Sequence, residues 1–425
     1  MKKFINSILP FFLKIGSNNY LTAIRDGLSF TVPFTIVGSL FLIVGNFPII
    51  AWTNFIKPYT PMLNSVVNVS FGMLGLISAI GIGYSLAKNF KIELLSNTII
   101  TTIAFLLATV DNKFQISVAN LSATGMFTAI LVAVLTTVVS RFVVAHNLTI
   151  KLPDSVPPAV AQSFNSLTPA ALVLLIVWLI RVVLQINVND ILQRVFQPLI
   201  FGLNTIPGLL VYTFIALALW LIGVHGPNLL AGIVTPIFLS NIAANIKAFQ
   251  AGQTVPYDVA DGFWTLFQNI GGSGCTIGLV LAMLVARSKM YRDLGRLSIG
   301  PAIFCINEPV IFGFPIVMNP IMAIPFVATP MILGAMTIVF MRLGWVGRIV
   351  TEVPWTTPPI IGPYLATNGS IGAAIWSACT IVISYALYFP FFKILDRKQS
   401  AAEATEEKNN APASASVVSG KGATE

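Results

Sequence analysis

Residues 195–246 read VFQPLIFGLNTIPGLLVYTFIALALWLIGVHGPNLLAGIVTPIFLSNIAANI, 52 consecutive positions without a charged side chain. A helix crosses a bilayer with about 20 apolar residues, so the stretch holds two crossings. The break falls at Gly223-Val224-His225-Gly226-Pro227-Asn228, where glycine and proline end one helix and open the next. Further charge-free runs lie at 27–56, 58–87, 114–140, 155–180, 262–286, 309–341 and 353–392. Of 425 residues, 56% are hydrophobic and 9% charged, and mean hydropathy is +0.85. Soluble domains carry roughly a quarter charged residues, so the chain reads as an all-α multi-pass membrane protein. Open sheets and soluble oxidoreductase folds are excluded. A transmembrane barrel is excluded too, because its strands alternate apolar and polar residues.

The spacing predicts spans at 28–48, 70–87, 96–110, 124–144, 167–186, two within 195–246, then 264–286, 320–341 and 369–392. An amphipathic helix at 4–15 and a second at 188–199 are expected to lie on the membrane surface. Proline-rich 299–319 and 345–368 read as re-entrant segments, which survive at depth only where protein or a wet cavity surrounds them. The second surface helix divides the chain into an N-terminal half (1–187), a C-terminal half (188–398) and a tail (399–425) expected to be disordered. The net charge of +9 is read as basic loops on the cytoplasmic side, with both termini inside and no nucleic-acid partner. Met1-Lys2-Lys3 precedes no small-residue cleavage site, so the N-terminus reads as mature. Cys275, Cys305 and Cys379 show neither disulfide nor zinc spacing.

Glu308, in Cys305-Ile306-Asn307-Glu308-Pro309-Val310, is an acid inside an apolar stretch, where function is the default reading. The alternative is a carboxylate capping the broken segment. His225 stands between glycines that let another group approach closely; its alternative is a histidine bonded to a helix end. His146 reads as solvated, and no third ligand completes a metal site. Trp220, Trp264 and Trp355 lie nearest the broken segments, and Trp355 beside Thr356 offers an indole face for a sugar ring. Gly271-Gly272-Ser273-Gly274 lacks the ending of a phosphate loop and reads as close packing or an unwound turn. The C-terminal half thus offers one buried carboxylate, one imidazole, asparagines and indoles, without arginines for an anionic substrate or carboxylate rows for ion coupling. A neutral, polyhydroxylated solute fits that set, with no cofactor.

Four blocks carry a resemblance: Ile306–Pro320 around Asn307-Glu308-Pro309, Val156–Phe164 (VPPAVAQSF), Gly223-Val224-His225-Gly226, and Pro354-Trp355-Thr356-Thr357-Pro358-Pro359. In this order they resemble the membrane component, enzyme IIC, of lactose/cellobiose-type phosphotransferase systems, from about Phe4 to Arg397. The resemblance implies a homodimer of ten-span subunits with two re-entrant hairpins, in a bacterial cell membrane. The first half would make the dimer contact and the second would carry the sugar. It implies phosphorylation of a β-linked disaccharide (cellobiose, lactose or diacetylchitobiose) by a phosphocysteine of a IIB protein, itself served by IIA. Glu308 and His225 would hold the sugar's 6-hydroxyl, with Glu308 accepting its proton. Asn307, Trp220 and Trp355, with Asn228 and Thr356, would be sugar contacts. With no IIB domain after Arg397, the donor is expected to be a separate chain. The competing classes are a proton-coupled secondary sugar transporter and a regulatory membrane scaffold.

Overall fold

The computed structural model describes residues 18–47, 49–150, 153 and 164–410. The expected surface helix at 4–15, nearly all of the 156–164 block and the tail from 411 lie outside the described residues. Every regular element described is helical, with no strand. In chain order come α1 (Asn19–Gly45), α2 (Asn54–Gly72) and α3 (Leu74–Phe90), the last two meeting at a 44° bend. α4 (Leu94–Ala108) and α5 (Ala123–Ala145) follow. Then α6 (Leu167–Val183) turns through 84° into α7 (Val188–Leu203). α8 (Ile206–Leu221) and α9 (Gly226–Gln250) are the two helices of the 52-residue run. The remainder are α10 (Ile277–Leu284), α11 (Lys289–Ile303), α12 (Glu308–Gly313), α13 (Pro320–Arg342), α14 (Ile361–Ala366) and α15 (Ile371–Asn410). Among the described residues five helices are long and apolar enough to cross a membrane, and the two bent pairs meet the same test as pairs.

Small residues set the closest helix contact of the first half. A Cβ at Gly27 would lie 2.4 Å from Ile82 Cα, and one at Gly81 would lie 2.3 Å from Gly27 O. α1 and α3 therefore touch backbone to backbone, as packing in lipid favours. α6 ends in a π turn, Leu179–Val183, that brings Arg181 inward. This arginine is 2% exposed, and its Nε and Nη2 donate to Val110 O (3.1 and 2.8 Å) just past the end of α4. A cation on those carbonyls matches the negative end of a helix. After the sharp turn, α7 lies against α5: Phe196 stacks on Phe127 at 3.9 Å, and Thr128 Oγ1 donates to Asn189 Oδ1 at 2.8 Å.

The second half departs from a row of plain spans. The 264–286 segment, expected as one span, is interrupted. A π turn (Trp264–Gln268) leads into left-handed backbone at Gly271, Gly272, Gly274 and Cys275, and only the eight residues of α10 follow. Eight residues rise about 12 Å, far short of a crossing. The tail departs as well: α15 continues to Asn410, so 399–410 are helical where disorder is expected. Contacts distant in sequence explain this. Asp396 accepts from the main-chain N–H groups of Arg287 and Ser288, while Glu403 accepts from Ser288 Oγ (2.6 Å) and Lys289 N (2.8 Å), capping α11.

The 251–262 loop is pinned by one acid. Asp258, nearly buried, receives Nε of Arg342 (2.8 Å) and Nε of Arg348 (2.7 Å), joining the loop to the end of α13 and the start of the second proline-rich segment. Both arginines keep some solvent, so screening reduces the worth of the pairs. Asp258→Asn is expected to cost about 1–2 kcal/mol, read as a lower melting temperature of the purified protein in detergent. An unchanged melting curve would remove the pin from the account of stability.

Candidate functional site

The chain between α8 and α9 is built to present one imidazole. Thr205 caps the start of α8, which ends at Leu221, and Gly223 turns the backbone at φ +85°. His225 then caps α9: its Nδ1 accepts the main-chain N–H of Asn228 at 3.2 Å. That contact assigns the ring proton to Nε2, which is left as a donor on the exposed edge. The expectation of a histidine bonded to a helix end and that of a functional histidine are thus both compatible with one ring. Trp220 packs against it with centroids 4.4 Å apart. The indole is 6% exposed and clusters with Val310 and Ile311 of α12. It stands behind the imidazole as a wall, with its buried Nε1 unpartnered. Asn228 is exposed one turn into α9.

Glu308 opens α12, directly after the buried Asn307. Its carboxylate is exposed and makes no hydrogen bond or ion pair among the described residues, which removes the capping alternative. The turn following α12 is joined to the end of α8 by Met318 N donating to Leu221 O at 2.9 Å. The structure therefore brings a free carboxylate and an Nε2–H donor to neighbouring helix starts, without pairing them as an ion pair.

Asn307 departs from its expected part. Its Nδ2 donates to Ser273 O (2.8 Å) and Thr276 Oγ1 (2.9 Å), so both amide hydrogens are spent inside the protein. Only Oδ1 remains for a ligand, and the main task of Asn307 is to hold Glu308 against the Gly271–Gly274 turn. The carbonyls of that turn are taken one by one: Gly271 O by Thr276 Oγ1 (2.8 Å), Gly274 O by Tyr388 OH (2.6 Å) and Cys275 O by Ser384 Oγ (2.6 Å). Asn269 Oδ1 accepts the N–H of Gly274 at 2.8 Å. Here the glycine motif finds its use, as an unwound turn and not a phosphate loop.

Trp355 is 55% exposed in the second proline-rich segment, with no ring partner among the described residues, and Thr356 beside it is half-buried. Among the described residues neither makes a hydrogen bond or ring contact with His225 or Glu308. Sequence reading missed Glu352, a buried acid of this half at 6% exposed. Its main-chain N–H donates to Ser39 Oγ of α1 at 2.7 Å, across the seam between the halves, while its Oε2 has no hydrogen-bond partner among the described residues. The expectation of a single buried carboxylate is corrected by Glu352 and Asp258. The signal was present: an acid inside a segment already read as re-entrant. Among the described residues no group of three metal-ligating side chains gathers.

Comparison with known proteins agrees with this architecture. The family described as "Phosphotransferase system, EIIC" matches residues 25–330. The chain is 36% identical over 432 residues to the lichenan permease IIC component of Bacillus subtilis (strain 168), covering 96% of each chain. It is also 36% identical over 447 residues to the cellobiose-specific EIIC component of Geobacillus stearothermophilus, covering 98% of this chain and 97% of the relative. The crystal structure of the transporter ChbC, the IIC component from the N,N'-diacetylchitobiose-specific phosphotransferase system, aligns with a TM-score of 0.90 at 36% identity. That match covers 94% of this chain and 99% of the other. The chain belongs to the EIIC family, the multi-pass helical membrane components through which the phosphotransferase system transports sugar.

The left-handed turn yields a direct test. At Gly272, φ is +103° and an added Cβ would stand 2.3 Å from Asn307 Cγ. Gly272→Ala must displace Asn307 and with it Glu308, and is expected to weaken sugar binding by tenfold or more, on the order of 1.4 kcal/mol. Titration of the purified variant with sugar checks this, and wild-type affinity would show that the turn does not position the site.

Proposed function

We propose that this chain binds a β-linked disaccharide of the cellobiose, lactose or diacetylchitobiose class and carries it across the membrane for phosphorylation at its 6-hydroxyl by a separate IIB phosphocysteine. What supports this reading is the Met318–Leu221 bond, which joins the turn after α12, the helix that Glu308 opens, to the end of α8 just before His225, in a member of the EIIC family. A carboxylate accepts, a neutral imidazole with Nδ1 occupied donates, and together they suit one hydroxyl that must do both. Glu308 takes the hydroxyl proton as the oxygen attacks phosphorus, and His225 fixes the direction of that oxygen; transfer then depends on positioning and charge. Trp355 supplies an apolar face for a sugar ring, with Thr356 and Asn228 at its polar edge. The names of relatives that act on lichenan, cellobiose and diacetylchitobiose support the substrate class. The same reading carries ten crossings, cytoplasmic termini and a homodimer built through residues 1–187.

Purified protein in proteoliposomes, supplied with phosphorylated IIB on the inside and labelled cellobiose on the outside, is expected to deliver phospho-cellobiose to the lumen. Accumulation of unmodified sugar driven by a pH gradient would replace this reading with proton-coupled transport. Glu308→Gln keeps the shape and removes the base, so phosphorylation should fall by roughly 10²–10⁴-fold while cellobiose still binds. Wild-type turnover in that variant would move the proton elsewhere. Trp355→Ala should weaken affinity by about 1–3 kcal/mol, and unchanged binding would assign Trp355 to packing.

A further inference from the structure

A cavity of about 980 Å³ lies at the other end of α9 from His225. α9 has 25 residues, which rise about 37 Å, more than the roughly 30 Å hydrocarbon core. The cavity meets this helix at Ser240, Lys247 and Gln250, in its last stretch. It therefore opens toward the membrane face opposite the one where His225 and Glu308 stand. Its walls come from both halves: α2 and the 118–124 turn on one side, α7, α9 and Tyr257 on the other. Two of its lining residues bond the halves together: Gln250 Nε2 donates to Asn64 Oδ1 at 3.3 Å, and Gln193 Nε2 donates to Thr124 O at 3.4 Å.

The chemistry of the lining is unusual for a space between membrane helices. Asn68, Asn120, Gln193, Gln197 and Gln250 bring five side-chain amides to one volume. An amide offers a donor and an acceptor side by side, the pattern that adjacent hydroxyls on a sugar ring return. Asp190, Arg194 and Lys247 join them, none in an ion pair among the described residues. Phe71 and Phe127, both buried, supply an apolar wall. A site for a phosphate or an anionic headgroup gathers cations and excludes carboxylates. Here Asp190 stands among them, and amides outnumber both signs. The volume lies within the range of small-ligand sites.

We propose that this cavity is a second carbohydrate site, which takes up the β-linked sugar at the face where it arrives, before it reaches His225 and Glu308. The inference rests on the transport reading above for its substrate. A sugar held here touches both halves at once, so occupancy is tied to how the seam between them is closed.

The test reads the cavity separately from phosphoryl transfer. Gln197→Cys, in intact cells, is expected to react with a membrane-impermeant maleimide, and saturating cellobiose should slow that reaction roughly fivefold, whereas mannitol should not. A rate indifferent to cellobiose, or protection by added phosphatidylglycerol in place of cellobiose, overturns the proposal. In a second arm, Gln193→Ala with Gln197→Ala, and separately Ala119→Trp to fill the space, should raise the KM for cellobiose uptake about tenfold. The KM for phosphorylation by IIB in detergent should rise far less. Equal changes in both assays, or none in uptake, overturn the proposal. If the wild-type protein forms no phospho-cellobiose at all, the transport reading fails instead, and the maleimide arm still decides whether the cavity holds sugar.

Discussion

A chain that stops being helical inside a membrane leaves carbonyls and N–H groups that lipid cannot satisfy, each at a cost of several kcal/mol. The Gly271–Cys275 turn meets this constraint mostly with side chains, the main-chain N–H of Cys275 taking Gly272 O. Thr276, Asn307, Tyr388 and Ser384 each take one of its carbonyls. These four donors come from three separate parts of the sequence, so the turn exists only once α10, α12 and α15 have assembled around it. Asn307 does the most, because its other neighbour in sequence is Glu308. Backbone satisfaction and the placement of the free acid are therefore one arrangement.

The imidazole is placed by a parallel device. His225 closes the first turn of α9, and Trp220 backs the ring against the apolar face of α12. Met318 ties the next turn to Leu221. Each of the two residues sits at the first residue or cap of a helix, so the helix start fixes its main chain.

Much of this was legible in the sequence because membranes leave few options. The break at 223–228, the helix α7 and the proline-rich interruptions each followed from glycine, proline or helical spacing. What escaped was set by contacts between distant residues. The 264–286 stretch is charge-free throughout, and only Gly271, Gly272 and Gly274 hinted at a break; they fit close packing and an unwound turn equally, so the stretch still read as one span. Residues 399–410 carry no apolar periodicity, so nothing local marks them as ordered, and the bonds of Glu403 to the start of α11 lie more than a hundred positions away in sequence. Glu352 was passed over because it flanks a charge-free run instead of interrupting one.

The length of α15 has a mechanical side. Its 40 residues extend about 60 Å, twice the apolar thickness of a bilayer. Asp396 and Glu403 are spaced two turns apart on one stripe of this rod and grasp the same short stretch, 287–290, from which α11 leads toward Glu308. The grasp is a matter of angular phase: adding or removing one residue between Tyr388 and Asp396 swings both carboxylates by about 100° and releases them together. The rod thus couples the angular setting of the unwound turn, through Tyr388, to that of the start of α11.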